Sequence, residues 1–294
     1  GFYICVAMKS FILAARPKTL PAAIVPVWVG CALTFHLTGT WDGWLAFYTV
    51  MGAIWIQIAT NFFNDAIDSD KGADTEARLG PTRATASGRL SRKTVYASAI
   101  ICLLLASVFG WPLFVARGWP MIAIALPSFY LAYGYTGGPL PLAYRGLGEL
   151  FVILFFGVVA VMGTVFVQTG MWHSDALITG LAIGCLSAVL ISINNLRDVD
   201  EDRANNKNTL AVKWGRNASV NLVRAMTMVA YAFAIVLFDP GLKLLWFLPA
   251  LLLGLLIIRN ICQNAPGEIY NKYLALSALQ LILYAGAFMM ITCF

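Results

Sequence analysis

Long runs of apolar residues alternate with short polar connections along almost the whole chain. Each run approaches the ~20 residues that an α-helix needs to cross about 30 Å of hydrocarbon. The pattern predicts an all-α membrane protein with nine transmembrane helices and no separate soluble domain. The nine predicted segments are Leu20–Leu37, Gly43–Phe63, Thr94–Val115, Trp119–Tyr135, Leu147–Gln168, Asp175–Asn195, Ala218–Phe238, Leu242–Ile258 and Lys272–Phe294.

The segment before the first predicted span is treated separately. Residues 1–7 precede Met8, and we set them aside as an extension of expression-vector or natural origin. The apolar run Phe11–Ala15 is too short, and too close to Arg16, to cross a bilayer. We therefore expect a single membrane domain over residues 1–294.

The composition is that of a chain whose solvent is mostly lipid. Hydrophobic residues make up 60% of the sequence and charged residues 12%, with a mean hydropathy of +0.77, whereas soluble domains carry about 25% charged residues. The six cysteines have no paired spacing, and the two histidines have no nucleophile or second histidine arranged around them. These features argue against a disulfide framework, a zinc site and a nucleophilic triad.

Lysine and arginine residues collect in alternate connections of the predicted bundle. They are dense before the first span, between the second and third spans, and between the sixth and seventh. Such connections face the cytoplasm in membrane proteins. The pattern predicts a cytoplasmic N-terminus and, after nine spans, a C-terminus on the opposite side. The net charge of +6 follows this topology, so no nucleic-acid partner is expected.

Acidic residues are concentrated in two of the predicted cytoplasmic loops, 64–93 and 196–217. Of 14 acidic residues, five lie between Asp65 and Glu76 and four between Asp198 and Asp202. An Asn-xxx-Asp pattern occurs in both places, once at Asn61 and Asp65 and once at Asn194 and Asp198. The repeat indicates an internal duplication, with one acidic motif at the end of the second span and one at the end of the sixth.

Helical periodicity places each acidic motif on one face of a helix. Asn61, Asp65 and Asp68 occur at i, i+4 and i+7, and Asn194, Asp198 and Asp202 at i, i+4 and i+8. Asp200 would point away from the second face. Carboxylates one turn apart repel, and each costs about 2.5 to 3.5 kcal/mol within a membrane helix. A divalent cation would relieve both penalties, and Mg²⁺ prefers oxygen ligands of this kind.

Basic residues are interleaved with these carboxylates, which favours a metal-bound polyanion over a cation alone. We therefore predict a magnesium-dependent diphosphate site at the cytoplasmic face. The alternatives are a solvated charged loop and an ion-coupled transporter, although transporters place their acids near the bilayer midplane. The basic residues are Lys71, Arg78 and Arg83 in the first loop and Arg197, Arg203 and Lys207 in the second.

The sequence resembles the UbiA superfamily of intramembrane aromatic prenyltransferases, which have nine helices and two duplicated aspartate-rich motifs. The resemblance covers the chain from Arg16 onward. Within the superfamily it is similar to the menaquinone branch, whose members prenylate 1,4-dihydroxy-2-naphthoate. The segments that carry the resemblance are ARPKTLPAAIVPV, KGADTEARLGPTRATASG, YTGGPLPLAYRGLGE followed by FFG, and NNLRDVDEDRANNKNTLAVKWG.

The resemblance implies roles for individual residues. Two Mg²⁺ ions that bridge the diphosphate would be held by Asp65, Asp68, Asp198 and Asp202, with Asn61 and Asn194 as further candidate ligands. Lys71 would act with the four aspartates in catalysis. Substrate contacts are implied for Asn61, Asn64, Arg78, Arg83, Tyr135, Arg145, Asn194, Asn195 and Lys207.

Two departures from the superfamily pattern leave alternatives open. Gly72 stands where the first motif commonly has its final aspartate, so Asp70 or Asp74 could substitute, or nothing could. A Tyr-xxx-Lys motif of some relatives is absent, which leaves Tyr135, Tyr144 and Arg145 as candidate replacements.

The reaction implied by the resemblance is an electrophilic aromatic substitution in the plasma (inner) membrane. A polyprenyl diphosphate would lose its diphosphate, and the dihydroxynaphthoate ring would take up the allylic cation and lose its carboxylate as CO₂. The product would be demethylmenaquinol. A different aromatic acceptor, such as 4-hydroxybenzoate, stays open, as do the prenyl chain length and the oligomeric state.

Overall fold

A computed structural model describes residues 2–72, 79–80, 83–238 and 241–293, and the side chains from residue 8 onward. Arg78 and Asp74, which the sequence analysis names, lie outside the described residues. The described chain is helical almost throughout, as predicted, and it contains twelve α-helices. They are α1 (Phe2–Ala15), α2 (Pro21–Thr38), α3 (Gly43–Asp70), α4 (Arg92–Arg117), α5 (Pro120–Gly134), α6 (Gly148–Val152), α7 (Ala160–Thr169), α8 (Ser174–Arg197), α9 (Val199–Ala204), α10 (Leu210–Leu237), α11 (Leu248–Gln263) and α12 (Tyr270–Cys293).

Nine apolar helical segments lie where the sequence predicts spans. Eight of them, among the described residues, are long and apolar enough to cross a membrane. The ninth is α5, an apolar helix of 15 residues. At 1.5 Å per residue it rises about 22 Å, less than the hydrocarbon thickness. One of the eight combines α6, a π-helical segment at Ile153–Val159, and α7 into Gly148–Thr169.

The segment before the first span is helical but shorter than the candidate membrane spans. α1 has 14 residues, so it includes most of the residues that the sequence analysis set aside. Its later part packs on α3, where the rings of Phe11 and Phe62 meet edge to face at 6.4 Å. Arg16 follows with a left-handed backbone, φ 50°, and turns the chain into α2.

Helix α8 lies at the centre of the bundle. Of its most apolar 18 residues, 72% are buried, more than in any other candidate span of the described chain. α10, α12 and the π-helical segment pack around it, while α3 and α4 form a second packed pair. α8 approaches the π-helical segment so closely that a Cβ on Gly184 would lie 2.6 Å from the carbonyl oxygen of Ile153. This contact holds the π-helical segment, and α6 before it, against α8.

The two acidic motifs differ in local structure. Asn61, Asp65 and Asp68 all lie on the continuous helix α3, which confirms the predicted shared face. The second motif does not lie on one unbroken helix, so that prediction was wrong. α8 ends at Arg197, Asp198 has φ −95° and ψ 11°, and α9 carries Asp202. The Asp202 N–H still donates to the Asp198 carbonyl at 2.8 Å, so a turn links the two carboxylates.

Candidate functional site

Asp65 is buried beneath the loop that connects α3 to α4. Its two carboxylate oxygens accept the backbone N–H groups of Ala84 at 3.0 Å and Thr85 at 2.9 Å. Two such N–H bonds fix the carboxylate in place. Asp65 therefore organises the loop, and further lone pairs remain on its oxygens for a cation.

Asp68, one turn further along α3, joins three segments of the chain. One of its oxygens accepts the guanidinium N–H of Arg83 at 2.7 Å, and the other accepts the Tyr144 hydroxyl at 2.9 Å. The side chains of Arg83 and Asp68 are 5% and 4% exposed. The ion pair is therefore shielded from water and draws residue 83 and the 3-10 turn Leu142–Arg145 towards α3.

Lys71 lies just beyond α3 and close to Tyr144. Its ammonium donates to the Thr136 carbonyl at 2.6 Å and stands 3.8 Å from the centre of the Tyr144 ring. Burial lowers the pKa of the Lys71 ammonium, and Lys207 adds to this effect, whereas Asp68 opposes it. Asn64 accepts the Thr136 hydroxyl at 2.8 Å, so the segment after α5 is held at two points of the first motif.

Asp198 of the second motif is paired with its neighbour in sequence. The guanidinium of Arg197 donates to both oxygens of Asp198 at 2.7 Å. It also donates to Asn194 at 2.9 Å and to Asn271 at the start of α12 at 2.7 Å. The two charged side chains are 2% and 6% exposed. This network ties the end of α8 to α12.

Asp202 is the least compensated of the four aspartates. Its only ion pair among the described residues is with Lys207, at 3.4 Å, and its Oδ2 atom is buried without a hydrogen-bond partner. Burial raises the pKa of the Asp202 carboxyl to about 6; Asp198 and Asp68 add to the rise, and Lys207 opposes it. A further cation at this position would stabilise the ionised carboxylate.

Tyr144 lies where the two motifs meet. The ammonium groups of Lys71 and Lys207 are 3.8 Å and 5.7 Å from its ring centre, and its hydroxyl bonds Asp68. The negative charge of Asp68 also contributes to the raised pKa of the Asp202 carboxyl. The fold therefore brings the two halves of the internal repeat together, with aspartates and lysines from both halves on one polar surface.

Other predicted residues have specific positions around this surface. Asn61 donates to the Ala15 carbonyl at 2.8 Å and to the Thr19 hydroxyl at 2.9 Å, which anchors the chain before α2. Asn195 donates to Glu149 at 3.0 Å. Arg145 is exposed and reaches the Pro139 carbonyl at 3.4 Å. Asn194 accepts from Arg197. The roles predicted for these side chains remain predictions.

Gly72, which stands where the superfamily's first motif commonly has its final aspartate, forms a turn. Gly72 has φ 65°, a left-handed conformation that suits glycine. Asp70 is directed at α4, where it pairs with Arg92 at 2.8 Å and accepts the Tyr96 hydroxyl at 3.2 Å. Of the two proposed replacements, Asp70 is thus engaged on another helix, and Asp74 lies outside the described residues.

An apolar cavity of about 400 Å³ lies next to the polar surface. Its wall includes Phe151 and Phe155, whose rings stack at 4.9 Å. Phe151 also contacts the ring of Tyr135 at 5.3 Å, and the Tyr135 hydroxyl feels the charges of Asp68 and Asp202. Aromatic side chains therefore form part of the cavity wall, with Tyr135 beside them. Its volume is within the range of about 300 to 1,000 Å³ that is usual for ligand pockets.

Sequence reasoning missed three polar residues near the site. Thr136 bonds Lys71 and Asn64, Gln57 lies in the cavity wall with a buried, unpartnered Oε1, and Glu149 is a buried carboxyl. Thr136 and Glu149 belong to the segment YTGGPLPLAYRGLGE, which was noted only for its family resemblance. An acidic residue that opens an apolar span was the available signal for Glu149.

The donor set fits a metal that is bound together with a phosphate. Within the described residues, no group of three or more carboxylate, histidine or cysteine side chains could hold a metal ion by itself. Mg²⁺, however, is commonly held by one or two carboxylates with phosphate oxygens and water. Facing carboxylates from two helix ends, with an unpartnered oxygen on Asp202, suit this arrangement.

Comparisons with known proteins show which family the chain resembles. The profile of the UbiA prenyltransferase family matches residues 23–278. The chain is 32% identical over 257 residues to the 1,4-dihydroxy-2-naphthoate octaprenyltransferase of Bacillus subtilis, covering 87% of this chain and 81% of the relative. For the Haemophilus influenzae protein of the same name the identity is 30% over 288 residues, covering 94% and 93%.

The fold is also similar to that of a solved structure. A UbiA homolog from Archaeoglobus fulgidus, bound to GPP and Mg²⁺, superposes with a TM-score of 0.67 at 15% identity. The match covers 96% of this chain and 99% of that one.

Proposed function

The chain belongs to the UbiA prenyltransferase family, and we propose that it transfers a polyprenyl group from an allylic polyprenyl diphosphate to 1,4-dihydroxy-2-naphthoate. The reaction releases diphosphate and CO₂ and gives demethylmenaquinol for menaquinone biosynthesis. The carrying observation is that Asp68 and Lys71 from one half of the repeat meet Lys207 and Asp202 from the other around Tyr144, next to an apolar cavity. Asp65 and Asp198 are buried one helical turn away from Asp68 and Asp202. The names of the Bacillus subtilis and Haemophilus influenzae relatives support the naphthoate acceptor.

The polar surface would hold the diphosphate with a divalent metal. Asp65 and Asp68 from the first motif, and Asp198 and Asp202 from the second, would bind two Mg²⁺ ions that bridge the diphosphate. When bound, the metal would neutralise the negative charge that builds on the departing diphosphate. The Mg²⁺ in the related archaeal structure supports a divalent metal in this fold.

The lysines and arginines at this surface would contact the same diphosphate. Lys71 and Lys207 approach Tyr144 from the two halves of the repeat, so a diphosphate between the motifs would meet both ammonium groups. Arg83 and Arg197 are already paired with Asp68 and Asp198. Their guanidinium groups compensate the charge of the buried carboxylates and fix their orientation.

The apolar cavity would hold the first part of the prenyl chain and exclude water. An allylic cation reacts with water, so the bond-breaking step needs a dry surrounding. The stacked rings of Phe151 and Phe155, with Tyr135 beside them, would face the cation and stabilise it through their π-electrons. A transporter reading is less well supported, because the aspartates lie at helix ends rather than in the middle of the spans.

Direct assay tests this function. Purified protein supplied with dihydroxynaphthoate, a polyprenyl diphosphate and Mg²⁺ should yield the prenylated, decarboxylated product by mass spectrometry. EDTA should abolish turnover, and added Mg²⁺ should restore it. If product formed from 4-hydroxybenzoate but not from the naphthoate, 4-hydroxybenzoate would be the acceptor. Proteoliposomes that accumulate a solute but form no prenylated product would support a transporter instead.

We also propose a plasma-membrane location with a cytoplasmic N-terminus, a cytoplasmic site and an external C-terminus. Single cysteines would test this in a variant that lacks the six native ones. Thr40, just before α3, and Ser91, which caps the N-terminus of α4, are exposed positions on opposite sides of the proposed membrane topology. An impermeant thiol reagent should label Thr40→Cys in intact cells and Ser91→Cys only after lysis. The reverse pattern would overturn the topology.

A further inference from the structure

Glu149 is a buried acid that the proposed mechanism does not yet use. It is the second residue of α6, it is 4% exposed, and it lies where the chain enters the span Gly148–Thr169. A carboxyl at such a position is costly unless it is bonded or neutralised, and acids in membrane segments commonly have a function.

The two oxygens of Glu149 have different surroundings. Oε1 accepts the Asn195 amide at 3.0 Å and the Ser192 hydroxyl at 3.4 Å, both from α8. Oε2 is buried and has no hydrogen-bond partner among the described residues. The α8 contacts hold the carboxyl in one orientation. One oxygen is therefore fixed by the protein, and the other is left to accept a hydrogen bond.

No cation neutralises Glu149 within the described chain. None of the ion pairs there includes it. Arg145, on the 3-10 turn that packs against α6, directs its guanidinium at the Pro139 carbonyl. The groups of α8 that face Glu149 are the neutral side chains of Asn195 and Ser192. Glu149 thus carries a buried carboxylate oxygen that neither a cation nor a hydrogen-bond donor of the described chain compensates.

Glu149 follows Gly148, which packs against Tyr135. The Tyr135 hydroxyl is close enough to α6 that a Cβ on Gly148 would be 3.0 Å from it. Phe151, two residues after Glu149, contacts the Tyr135 ring and lines the cavity. An aromatic acceptor that meets the allylic carbon near Tyr135 would be within reach of α6.

We propose that Glu149 accepts the proton of an acceptor hydroxyl, converting the bound dihydroxynaphthoate into the more nucleophilic naphtholate. This inference rests on the proposed function. The O–H bond breaks, its electron pair moves through oxygen into the ring, and the carboxylate-bearing carbon bonds the allylic carbon. The allylic C–O bond breaks, and its electron pair leaves with the diphosphate.

The proton is then returned. The ring carbon that was attacked carries a carboxylate next to the new ketone, so it loses CO₂ as β-keto acids do. The electrons of the broken C–C bond flow back to the ketone oxygen, which takes the proton from Glu149. The carboxylate is restored, atoms and charges balance, and no further reactant is required.

The variant Glu149→Gln tests the proton transfer while preserving shape and the bonds from α8. We expect kcat to fall about 100-fold, in the range for general bases, with little change in KM for the prenyl diphosphate. The loss should shrink as pH rises, about tenfold per unit, because solution then ionises the hydroxyl. Ser187→Ala, which removes another buried unpartnered hydroxyl from α8, should leave kcat unchanged.

A spectroscopic measurement on the wild-type protein does not depend on the folding of any variant. With a non-reactive prenyl diphosphate analogue and Mg²⁺ present, bound dihydroxynaphthoate should show the red-shifted absorbance of a naphtholate. A neutral naphthol spectrum would overturn the proposal, as would Glu149→Gln within twofold of wild-type kcat at all pH values. Wild-type protein that forms no product from the naphthoate would instead contradict the proposed function.

Discussion

Replacing Asp202 by asparagine is expected to lower turnover at least about 10³-fold while the protein still inserts and folds. Metal–diphosphate interactions are worth several kcal/mol in the transition state, and each 1.36 kcal/mol is about tenfold in rate. Asp202 Oδ2 is buried without a partner, and the Asp202 pKa is raised to about 6. The substitution removes a charge that is only partly compensated, by Lys207, so the fold should tolerate it. Metal binding should be lost, because a proposed ligand is removed. Steady-state kinetics with a Mg²⁺ titration would measure both effects.

Asp200→Asn is the matched control for this substitution. Asp200 lies on the same short helix, but its side chain is 91% exposed and 3.8 Å from Arg203, as the predicted orientation required. Turnover should remain within about twofold of wild type, because exposed ion pairs contribute little. Asp65→Asn and Asp198→Asn should also nearly abolish turnover. Normal turnover by Asp202→Asn, with unchanged Mg²⁺ dependence, would contradict the metal role of the second motif.

The Arg197–Asp198 pair provides the second large expected effect, this time on stability. Arg197→Met should lower the free energy of unfolding by about 3–5 kcal/mol, because it leaves a buried carboxylate without its cation. The guanidinium also bonds Asn194 and Asn271, so the junction of α8 and α12 would loosen. Unfolding in mixed detergent micelles would measure the loss.

A double substitution separates the structural role of this pair from its role in turnover. Arg197→Met with Asp198→Asn removes both charges, so most of the lost stability should return, as it does when buried ion pairs are replaced by neutral groups. Turnover should stay abolished, because a proposed metal ligand is gone. If the double variant recovered both stability and turnover, Asp198 would have no role beyond neutralising Arg197.

The sequence by itself determined the spans and the place of the chemistry. A segment that crosses lipid needs enough apolar residues to cover the hydrocarbon, and each segment satisfies this requirement independently of the others. Eight predicted spans therefore correspond to full-length helices. The ninth, α5, was recognised as apolar, but its helix has only 15 residues. Acidic residues beside such spans are costly, which made both motifs visible along with the family resemblance.

Local periodicity was reliable only where the helix continued. It placed Asn61, Asp65 and Asp68 correctly on one face of α3. It failed at Asp198, where the chain leaves α8 and a six-residue helix carries Asp202. The bidentate bond from Arg197 and the contact with Asn271 hold that junction. Periodicity assumes one continuous helix, and it contains no information about such contacts.

Tertiary structure alone decided what each charged group faces. The pairing of Asp68 with Arg83, the meeting of both lysines at Tyr144, and the enclosure of Glu149 by Asn195 each join segments far apart in sequence. Carboxylates and cations at helix ends have many partners within reach of their loops. Burial selects among them, because an unpaired charge away from water is too costly to keep. The geometry of the site therefore follows from packing between helices, whereas its location follows from the chain.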